Sequence, residues 1–511
     1  MARASSIVLL LVVILASLLR LYRIQTNPPS LYRDEVSIGY NAYSIISTGK
    51  DEWAAAFPQT FKSFGDYKLP LYIYLVAGLE KFLGPTELAV RLPSALAGIL
   101  SVVVMFFLMT EIKLLVLKHY PDFKFLRGYT LALLSALLLS ISPWHLQFSR
   151  AGFEAGLGLL FLTASLVFFL LSLRKSSHFF LPAVISAVGC FYSYHSAAFV
   201  LPFLALAAIA IFFRPVFSRG KIVLVGLILG AVLLMPYLPQ YFSAGTNRVA
   251  FTGISVVNQK GDVLSNFVQN YVANFSFDYL FFKGDQEGRH SVKKLGELYL
   301  WQFPAVLAGI YFLLRFRSKA SVLLFVWLLV SALPVALTRV SPHALRNLMA
   351  VFPWQAVSAF GLLYVLRKTR AAGGFIFAII FVYALVTYLH QYYVHYPVSY
   401  AADWQDGQKQ AVTFLKQVEK NYSEIFLTKD LYPIYLKFFL PYPPQKLQES
   451  SHNESQLGKY KYLTPAQAPK KEFPDRTSLM IAPSWMGSDV MRALPSIKMT
   501  NGDVAFRVYE F

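Results

Sequence analysis

The stretch from residue 22 to residue 50, YRIQTNPPSLYRDEVSIGYNAYSIISTGK, follows the first apolar segment and carries two adjacent carboxylates, Asp34 and Glu35. Asn27-Pro28-Pro29 interrupts the helix before them, because proline lacks an amide hydrogen and its ring clashes with the preceding turn. We therefore predict that the acidic pair begins a short helix, where the helix dipole favours negative charge. Acidic residues in a first turn are also common for structural reasons alone, so the pair by itself leaves both interpretations open.

The composition around this stretch is that of a membrane protein. Hydrophobic residues make up 56% of the 511 residues and charged residues only 14%, and the mean hydropathy is +0.49. Such a chain cannot bury its apolar surface in one soluble core. The net charge of +20 would suit a nucleic-acid partner, but basic residues at the cytoplasmic ends of membrane spans explain it equally. We predict no nucleic-acid partner. The single cysteine, Cys190, permits no internal disulfide.

Apolar segments of spanning character recur along the first 390 residues. They predict an all-α polytopic membrane protein with about eleven transmembrane helices, near residues 6–19, 90–110, 129–142, 155–173, 179–193, 196–213, 222–238, 299–314, 320–337, 348–366 and 373–390. The first segment lacks a cleavage site, and we interpret it as a retained helix.

Basic residues cluster in alternate connections, on the same side as Arg3. By the positive-inside rule that side is cytoplasmic, and it collects Lys113, Lys118, Lys124, Arg127, Arg174, Lys175, Arg214, Arg219, Lys221, Arg315, Arg317, Lys319, Arg367, Lys368 and Arg370. An odd number of spans then places the C-terminus outside the plasma membrane. The acidic pair also faces outward in this arrangement.

Three outward segments are large: the opening loop, residues 239–298 and the tail. Residues 69–84 predict a helix that lies in the outer interface. The tail is polar and predicts a small extracytoplasmic α/β domain, with a helix at 407–420 and strands at 424–428, 478–482 and 504–511. We therefore divide the chain into a transmembrane domain, 1–390, and a C-terminal domain, 391–511.

Charged and aromatic side chains collect on the outward side. They are Asp66 and Lys68, Trp144, His145, Arg150 and Glu154, Arg248 and Arg289, and Arg339, His343 and Arg346. Basic residues at the outer ends of spans suit a phosphate group, although each one alone could reach the phosphates of the outer leaflet. Glu154 could equally cap a helix. The two histidines have no companion ligands at metal spacing, so we predict no metal site.

Four motifs together resemble a known group of enzymes. They are the acidic pair after the first span, DYKLP at 66–70, SPWHLQFSRAGFE at 142–154 and SPHALRNLMAVFP at 341–353. This set is similar to the polyprenyl-phosphate-sugar-dependent glycosyltransferases of the GT-C membrane fold. Within them it resembles glycosyltransferase family 39, the group of protein O-mannosyltransferases and aminoarabinose transferases. The resemblance covers about residues 1–390.

The resemblance implies roles for particular residues of this chain. Asp34 would act as the catalytic base, with Glu35 and Glu154 as further acidic residues of the catalytic set. Lys68 would contact the donor phosphate together with a later arginine, Arg248 first and Arg346 second. We place Asp66, Tyr67, His145 and His343 in the acceptor or sugar pocket. Members of the family often carry Glu-Lys-Pro where this chain has DYKLP, which leaves the role of Asp66 open.

The implied activity is an inverting transfer of a monosaccharide from a polyprenyl-phosphate carrier to a lipid, glycan or protein acceptor, with no cofactor. Physical chemistry agrees, because the leaving phosphate needs fixed cations and the attacking hydroxyl or amine needs a carboxylate to take its proton. The alternative is a transporter or flippase for a lipid-linked saccharide, which charges inside the spans or matched broken helices would favour. A non-catalytic scaffold is a third possibility.

Overall fold

A computed structural model describes residues 3–241, 255–292, 295–450, 452, 454–463, 478–486 and 492–510. The side chains of residues 240, 241 and 370–372 are not described, and Arg248 lies outside the described residues. The chain is mostly helical, with a small sheet domain near the C-terminus.

The chain packs as two compact units. The membrane unit comprises Met1–Tyr22, Asp66–Leu71 and Ser94–Gln391, and the loop–tail unit comprises Arg23–Gly65, Tyr72–Pro93 and Tyr392–Phe511. The opening loop, which carries the acidic pair, therefore packs in the same unit as the tail. The division of the chain into a transmembrane domain, 1–390, and a C-terminal domain, 391–511, remains a prediction.

Each predicted apolar segment is largely helical in the membrane unit, which also contains short helices outside those segments. The bounds of the helices are Arg3–Leu21, Glu87–His119 (whose first turns belong to the loop–tail unit), Thr130–Ile141, Pro143–Arg150, Ala155–Arg174, Phe180–Phe191, His195–Ile211, Phe213–Phe217, Gly220–Leu234, Leu238–Tyr241, Val263–Ala273, Gln302–Arg315, Lys319–Ser331, Leu333–Ala336 and Val351–His390. Strand β2 (Asp66–Lys68) also belongs to this unit.

Six helical segments of the described residues are long and apolar enough to cross a membrane, or seven if a bent pair forms one span. Four shorter apolar helices accompany them. The number eleven therefore remains a prediction.

The bent pair consists of helices Thr130–Ile141 and Pro143–Arg150, which meet at 57°. Pro143 causes the break, because it has no amide hydrogen to continue the first helix. It stands at the first position of the second helix, where the Ser142 hydroxyl accepts a bond from the His145 amide at 3.4 Å. Residues 143–150, which lie between two predicted spans, thus form a helix.

The segment Val351–His390 is helical throughout, yet it doubles back. The Gln302 side chain donates to Gln355 at 2.9 Å, while the ring of the adjacent Trp301 lies 5.1 Å from that of Phe377. In a straight helix, residues 355 and 377 would be roughly 33 Å apart. The reversal falls between them, where the sequence carries Arg367 and Lys368, and it supports two antiparallel spans at this point.

Glycines allow a close helix crossing in the membrane unit. A methyl group at Gly309 would overlap the carbonyl of Val357, and one at Gly361 would overlap the carbonyl of Ala305. Helix Gln302–Arg315 therefore packs backbone to backbone against the first half of Val351–His390, as small residues permit in membrane bundles.

The loop–tail unit combines helices with a six-stranded sheet. Its elements are Arg33–Thr48, β1 (Phe61–Ser63), Pro70–Leu83, Tyr396–Ser399, Gln408–Val418, β3 (Glu424–Thr428), Pro433–Phe439, Pro444–Glu449, β4 (Gln456–Leu457), β5 (Tyr460–Leu463), β6 (Ser478–Pro483), β7 (Arg492–Lys498) and β8 (Val504–Glu510). The strand order is β4-β5-β3-β6-β8-β7. β3 pairs in parallel with β5 and β6, and the other pairs are antiparallel.

The strands predicted at 424–428, 478–482 and 504–511 are present within a residue. β3 and β6 lie at the centre of the sheet and are almost entirely buried, as parallel strands covered on both faces are. Phe426, Met480, Ala482, Met486 and Tyr509 form the core around them. The predicted α/β character of the tail is thus visible in the described residues.

Candidate functional site

Asp34 and Glu35 lie in the first turn of helix Arg33–Thr48, as predicted. The Glu35 carboxylate accepts a bond from the Tyr32 amide at 2.9 Å, which satisfies one of the free amides at the start of the helix. Asp34 is half-buried, whereas Glu35 is fully buried. The two neighbouring carboxylates thus occupy different environments.

Glu35 forms a buried ion pair with Arg91, which is also fully buried. The Arg91 Nε donates to Glu35 Oε1 at 3.0 Å, and Nη2 donates to Oε2 at 3.3 Å. The remaining donors reach the carbonyls of Ile24 and Pro28, each at 2.9 Å, and of Ser30 at 2.5 Å. All five guanidinium N–H groups therefore have acceptors, and Arg91 fixes the loop that leads to Asp34.

The tail also holds this loop. The Tyr435 hydroxyl lies 2.7 Å from the carbonyl oxygen of Leu31 and 2.9 Å from Gln405 Oε1, and its single hydrogen can be donated to either oxygen. Gln405 also accepts from the Arg33 amide at 3.0 Å. Burial, followed by the charges of Glu35 and Asp34 among nearby groups, raises the pKa of Tyr435 well above its usual value. The phenol is therefore a permanent hydrogen-bond donor at neutral pH.

A second buried cation, Lys437, joins the loop to the tail. Its ammonium lies 2.6 Å from a carboxylate oxygen of Glu52 and 2.7 Å from one of Glu454. Burial opposes ionisation of Glu454, but hydrogen bonds and charges from His452 and Lys437 outweigh it and lower the pKa of Glu454 to about 2. Asn41 completes the network by donating to Glu52 at 3.0 Å.

In the membrane unit, the charges of three predicted site residues shift the pKa of one buried tyrosine, Tyr194. Burial raises the pKa of Tyr194 to about 12; the positive charges of Arg346 and Lys68 lower it, and the negative charge of Glu154 raises it. These three side chains come from connections distant in sequence that the charge pattern places on one membrane face. The structure thus brings Lys68, Glu154 and Arg346 into electrostatic range of the same group.

Backbone contacts tie the segment of Lys68 to the turn before helix His195–Ile211. The Tyr67 carbonyl is 3.0 Å from His195 Nε2, and the Leu71 amide donates to the Tyr192 carbonyl at 3.1 Å. Asp66, Tyr67 and Lys68 are half-buried in strand β2. His195, which sequence reasoning missed, could have been found only as a histidine in a predicted outward turn.

Glu154 occupies the N-cap position of helix Ala155–Arg174, but its side chain makes no capping hydrogen bond. The position is that of a helix cap, and the interaction of its charge with the helix dipole remains an alternative explanation. Arg346 donates to the Thr338 hydroxyl at 3.0 Å, within the connection that precedes helix Val351–His390. Burial lowers the pKa of Arg346 below its usual value, and the charges of Tyr194 and Asp285 offset this only in part.

His145 and Arg150 have structural partners. His145 is buried, and its Nδ1 lies 2.7 Å from Arg20 Nη2. Arg150 donates to the carbonyls of Leu19 at 2.7 Å, Arg20 at 3.1 Å and Tyr22 at 2.7 Å, so it caps the end of the first helix. A pocket role for His145 remains a prediction.

His343 lies in a buried cluster with Asp285 and His290. Asp285 Oδ2 is 3.1 Å from His290 Nδ1 and 4.0 Å from His343 Nδ1. The sequence shows no metal-ligand companion for His343 at a suitable spacing, but the fold brings two such residues beside it. They were missed because they come from a different outward connection, and no sequence spacing reveals that contact.

The pKa values of Asp285 and His343, and that of the neighbouring Glu297, depart from their usual values. Burial would raise the pKa of Asp285, but His290 and two backbone amides bring it below its usual value. Burial and the Asp285 charge hold the pKa of Glu297 well above its usual range. Burial and the charges of His290, Arg346 and Arg289 hold the pKa of His343 well below its usual range, so its imidazole is neutral at pH 7.

The predicted site residues thus divide between the units. Asp34 and Glu35 belong to the loop–tail unit, whereas Asp66, Tyr67, Lys68, His145, Glu154, His343 and Arg346 belong to the membrane unit. Arg248, the first choice for a second phosphate ligand, lies outside the described residues.

No protein-family model and no curated protein matches the sequence. Among solved structures, ArnT from Cupriavidus metallidurans bound to undecaprenyl phosphate is similar with a TM-score of 0.56 and 11% identity, over 100% of this chain and 98% of ArnT. The apo state of ArnT gives a TM-score of 0.55 over the same shares. Archaeal oligosaccharyltransferase AglB from Archaeoglobus fulgidus, in complex with an inhibitory peptide and a dolichol-phosphate, is similar with a TM-score of 0.48 and 13% identity, over 86% of this chain.

The chain spans 63% of the length of AglB and nearly the whole length of ArnT. Both neighbours are GT-C glycosyltransferases. The likeness to ArnT shows that this chain has the fold of a GT-C membrane protein; at 11% identity it shows no more than the fold.

Proposed function

We propose that the protein is an inverting glycosyltransferase that moves a monosaccharide from a polyprenyl-phosphate carrier to an acceptor on the extracytoplasmic face of the plasma membrane. The fold resembles that of ArnT, which was solved with undecaprenyl phosphate. The four sequence motifs support the same class independently of the fold, and within it they favour glycosyltransferase family 39.

One observation carries the proposal: Lys68 and Arg346, together with Glu154, act electrostatically on Tyr194. Two cations near one buried phenol at a predicted membrane face suit a lipid phosphate, whose charge grows as the sugar leaves. Lys68 is a flexible ammonium, whereas Arg346 offers a planar donor fork. We assign both to the donor phosphate, with Arg248 as a further ligand.

Asp34 is the proposed base. Its half-buried carboxylate accepts the proton of the acceptor hydroxyl or amine as that atom attacks the anomeric carbon. The bond between the anomeric carbon and the phosphate oxygen breaks, and the polyprenyl phosphate leaves with the bonding electron pair. A single displacement inverts the anomeric centre. The acceptor is a lipid, a glycan or a protein.

The experiment is transfer from radiolabelled polyprenyl-phosphate sugars by the purified full-length protein in lipid nanodiscs. We expect label to move from at least one donor to a lipid, peptide or glycan fraction, and the product to have the opposite anomeric configuration. The Asp34→Asn variant is the matched control. Absence of transfer from every donor and to every fraction, with a folded protein, would contradict the proposal.

The orientation is tested separately. Ser47, Thr413 and Ser218 are exposed, while the native Cys190 is buried. Cysteines at Ser47 and Thr413 should react with an impermeant thiol reagent in intact cells, and one at Ser218 should react only after permeabilisation. Labelling at Ser218 alone would invert the topology and remove Asp34 from the proposed donor side.

A further inference from the structure

Asp285, His290 and His343 present three buried ligand atoms to one another. Each can offer one atom such that all three lie within 4.8 Å, and the two imidazole rings are 4.6 Å apart between centroids. Ligands of a tetrahedral Zn²⁺ with bonds of about 2.0–2.1 Å lie roughly 3.3 Å apart. Small side-chain rotations would therefore bring these atoms to metal-binding distance.

The Asp285 carboxylate is held in place by its surroundings. Its Oδ1 accepts from the Glu287 amide at 2.9 Å and its Oδ2 from the Ala344 amide at 2.6 Å. The Ser291 hydroxyl donates to the Asp285 carbonyl at 3.0 Å. Metal-ligating carboxylates are typically oriented by such outer hydrogen bonds. The hydrogen bonds that would orient Asp285 as a metal ligand are therefore already present in the protein.

A second group of three candidate ligands, two glutamates and one histidine, behaves differently. Glu52, His452 and Glu454 also lie within ligand distance of one another, but the Lys437 ammonium contacts both carboxylates. A protein cation thus fills that position. For the Asp285 cluster, no lysine or arginine contact to the carboxylate is found among the described ion pairs; its side-chain neighbours in those pairs are the imidazoles of His290 and His343.

Two arginines do lie near the Asp285 cluster. Arg289 pairs with Glu287 at 3.3 Å, and Arg346 donates to Thr338. Their positive charge weakens cation binding but favours an anion in the remaining coordination position. A metal with three protein ligands keeps such a position open.

We propose that Asp285, His290 and His343 bind one divalent transition-metal ion, for which Zn²⁺ is the best match. Two imidazole nitrogens and one carboxylate oxygen are ligands that Zn²⁺ and its first-row neighbours accept. The proposal does not depend on the transferase activity, since it concerns binding alone.

The test is metal binding by the purified full-length protein. Protein stripped with a chelator is titrated with Zn²⁺ against a chromophoric competitor, and Co²⁺ absorption reports the coordination geometry. We expect one Zn²⁺ per chain and a tetrahedral or five-coordinate Co²⁺ spectrum. Wild-type protein that binds no Zn²⁺ in competition with the chromophore overturns the proposal, whatever the variants do.

Two variants locate the ion. His343→Gln should lower the Zn²⁺ affinity by more than about 100-fold, because loss of a direct ligand exceeds the 10–100-fold cost of losing an outer-shell partner. His452→Ala, in the group that contains Lys437, should leave the affinity unchanged. If His343→Gln binds Zn²⁺ as tightly as wild type and His452→Ala no longer binds it, the ion lies elsewhere and the assignment is overturned.

Discussion

The two units use buried charge differently. In the loop–tail unit, Arg91 and Lys437 are enclosed by carboxylates and carbonyls that come from distant parts of the chain. In the membrane unit, Lys68, Glu154 and Arg346 are linked through their electrostatic effect on Tyr194. The first arrangement fixes backbone segments; the second gathers charge of both signs near one phenol.

The difference separates two kinds of mutational effect. Removing one member of a buried pair leaves the other charge desolvated and lowers stability. Removing a charge that serves a ligand lowers binding or turnover and leaves stability nearly unchanged. Asp34 breaks the pattern, because it lies in the loop–tail unit beside the structural Glu35 and yet is the proposed base. Four predictions test this division.

Arg91→Met should have the largest effect. It leaves the Glu35 carboxylate buried without its cation and the carbonyls of the loop without donors, which should destabilise the protein by about 3–5 kcal/mol. Thermal unfolding of the purified protein measures this. The exposed Arg492 provides the control, since Arg492→Met should change the melting temperature little.

The double variant Arg91→Met with Glu35→Met sharpens this test. Removing both charges avoids the desolvated carboxylate, so the double variant should be more stable than Arg91→Met alone. If the single and the double variants are equally unstable, the hydrogen bonds to the loop carbonyls, and not the ion pair, carry the effect.

Asp34→Asn should change turnover and not stability. The amide cannot accept the nucleophile's proton, so turnover should fall by roughly 10²–10⁴, whereas the lost interaction of a first-turn carboxylate with the helix dipole costs only about 0.3–1 kcal/mol. Asp262→Asn is the matched control, because Asp262 caps helix Val263–Ala273 by accepting from the Ser265 amide at 2.7 Å. Near-normal turnover in Asp34→Asn would move the base to Glu35 or Glu154.

Much of the membrane unit could be predicted from sequence, because local patterns determine it. Apolar runs predicted the long helices, whereas the assignment of the basic connections to one membrane face remains a prediction. The helix that begins at Pro143 lies outside the predicted spans, because the apolar pattern stops at residue 142, whereas Ser142 caps a second helix. A serine–proline pair is compatible both with a loop and with the start of a helix, since proline is favoured at a first helical position.

The contacts that define the sites could not be predicted. Arg91 lies in an apolar segment with no local sign that its partner is Glu35, and Asp285 meets His343 only through the fold. In the tail, β4, β5 and β7 were missed because they are short or mostly exposed, and such strands show little hydrophobic alternation. Long-range pairing is absent from any sequence window.

Lys68→Ala should weaken donor binding. Loss of one charge-assisted hydrogen bond to phosphate costs about 1.5–3 kcal/mol, which is roughly 10- to 100-fold in Kd. Titration of the purified protein with polyprenyl phosphate measures it. Lys62→Ala is the control, because Lys62 is exposed and lies 4.2 Å from the Trp53 ring. Equal affinities in both variants would remove Lys68 from the proposed phosphate site.

The smallest expected effect concerns Glu454. Its pKa falls from 4.5 in a free side chain to about 2 in the folded protein, so its ion pair stabilises the protein above pH 4.5 and is lost as the pH falls toward 2. The side chain is 39% exposed, and solvent screening limits the contribution to about 0–1 kcal/mol. Glu454→Gln should therefore melt slightly below wild type at pH 6, and the difference should shrink as the pH falls below 4.5. The exposed Glu449 provides the control, since Glu449→Gln should show no such pH dependence. A difference between wild type and Glu454→Gln that stays constant from pH 6 to pH 3 would mean that Lys437 is held by Glu52 alone, and that the junction of loop and tail rests on a single buried pair.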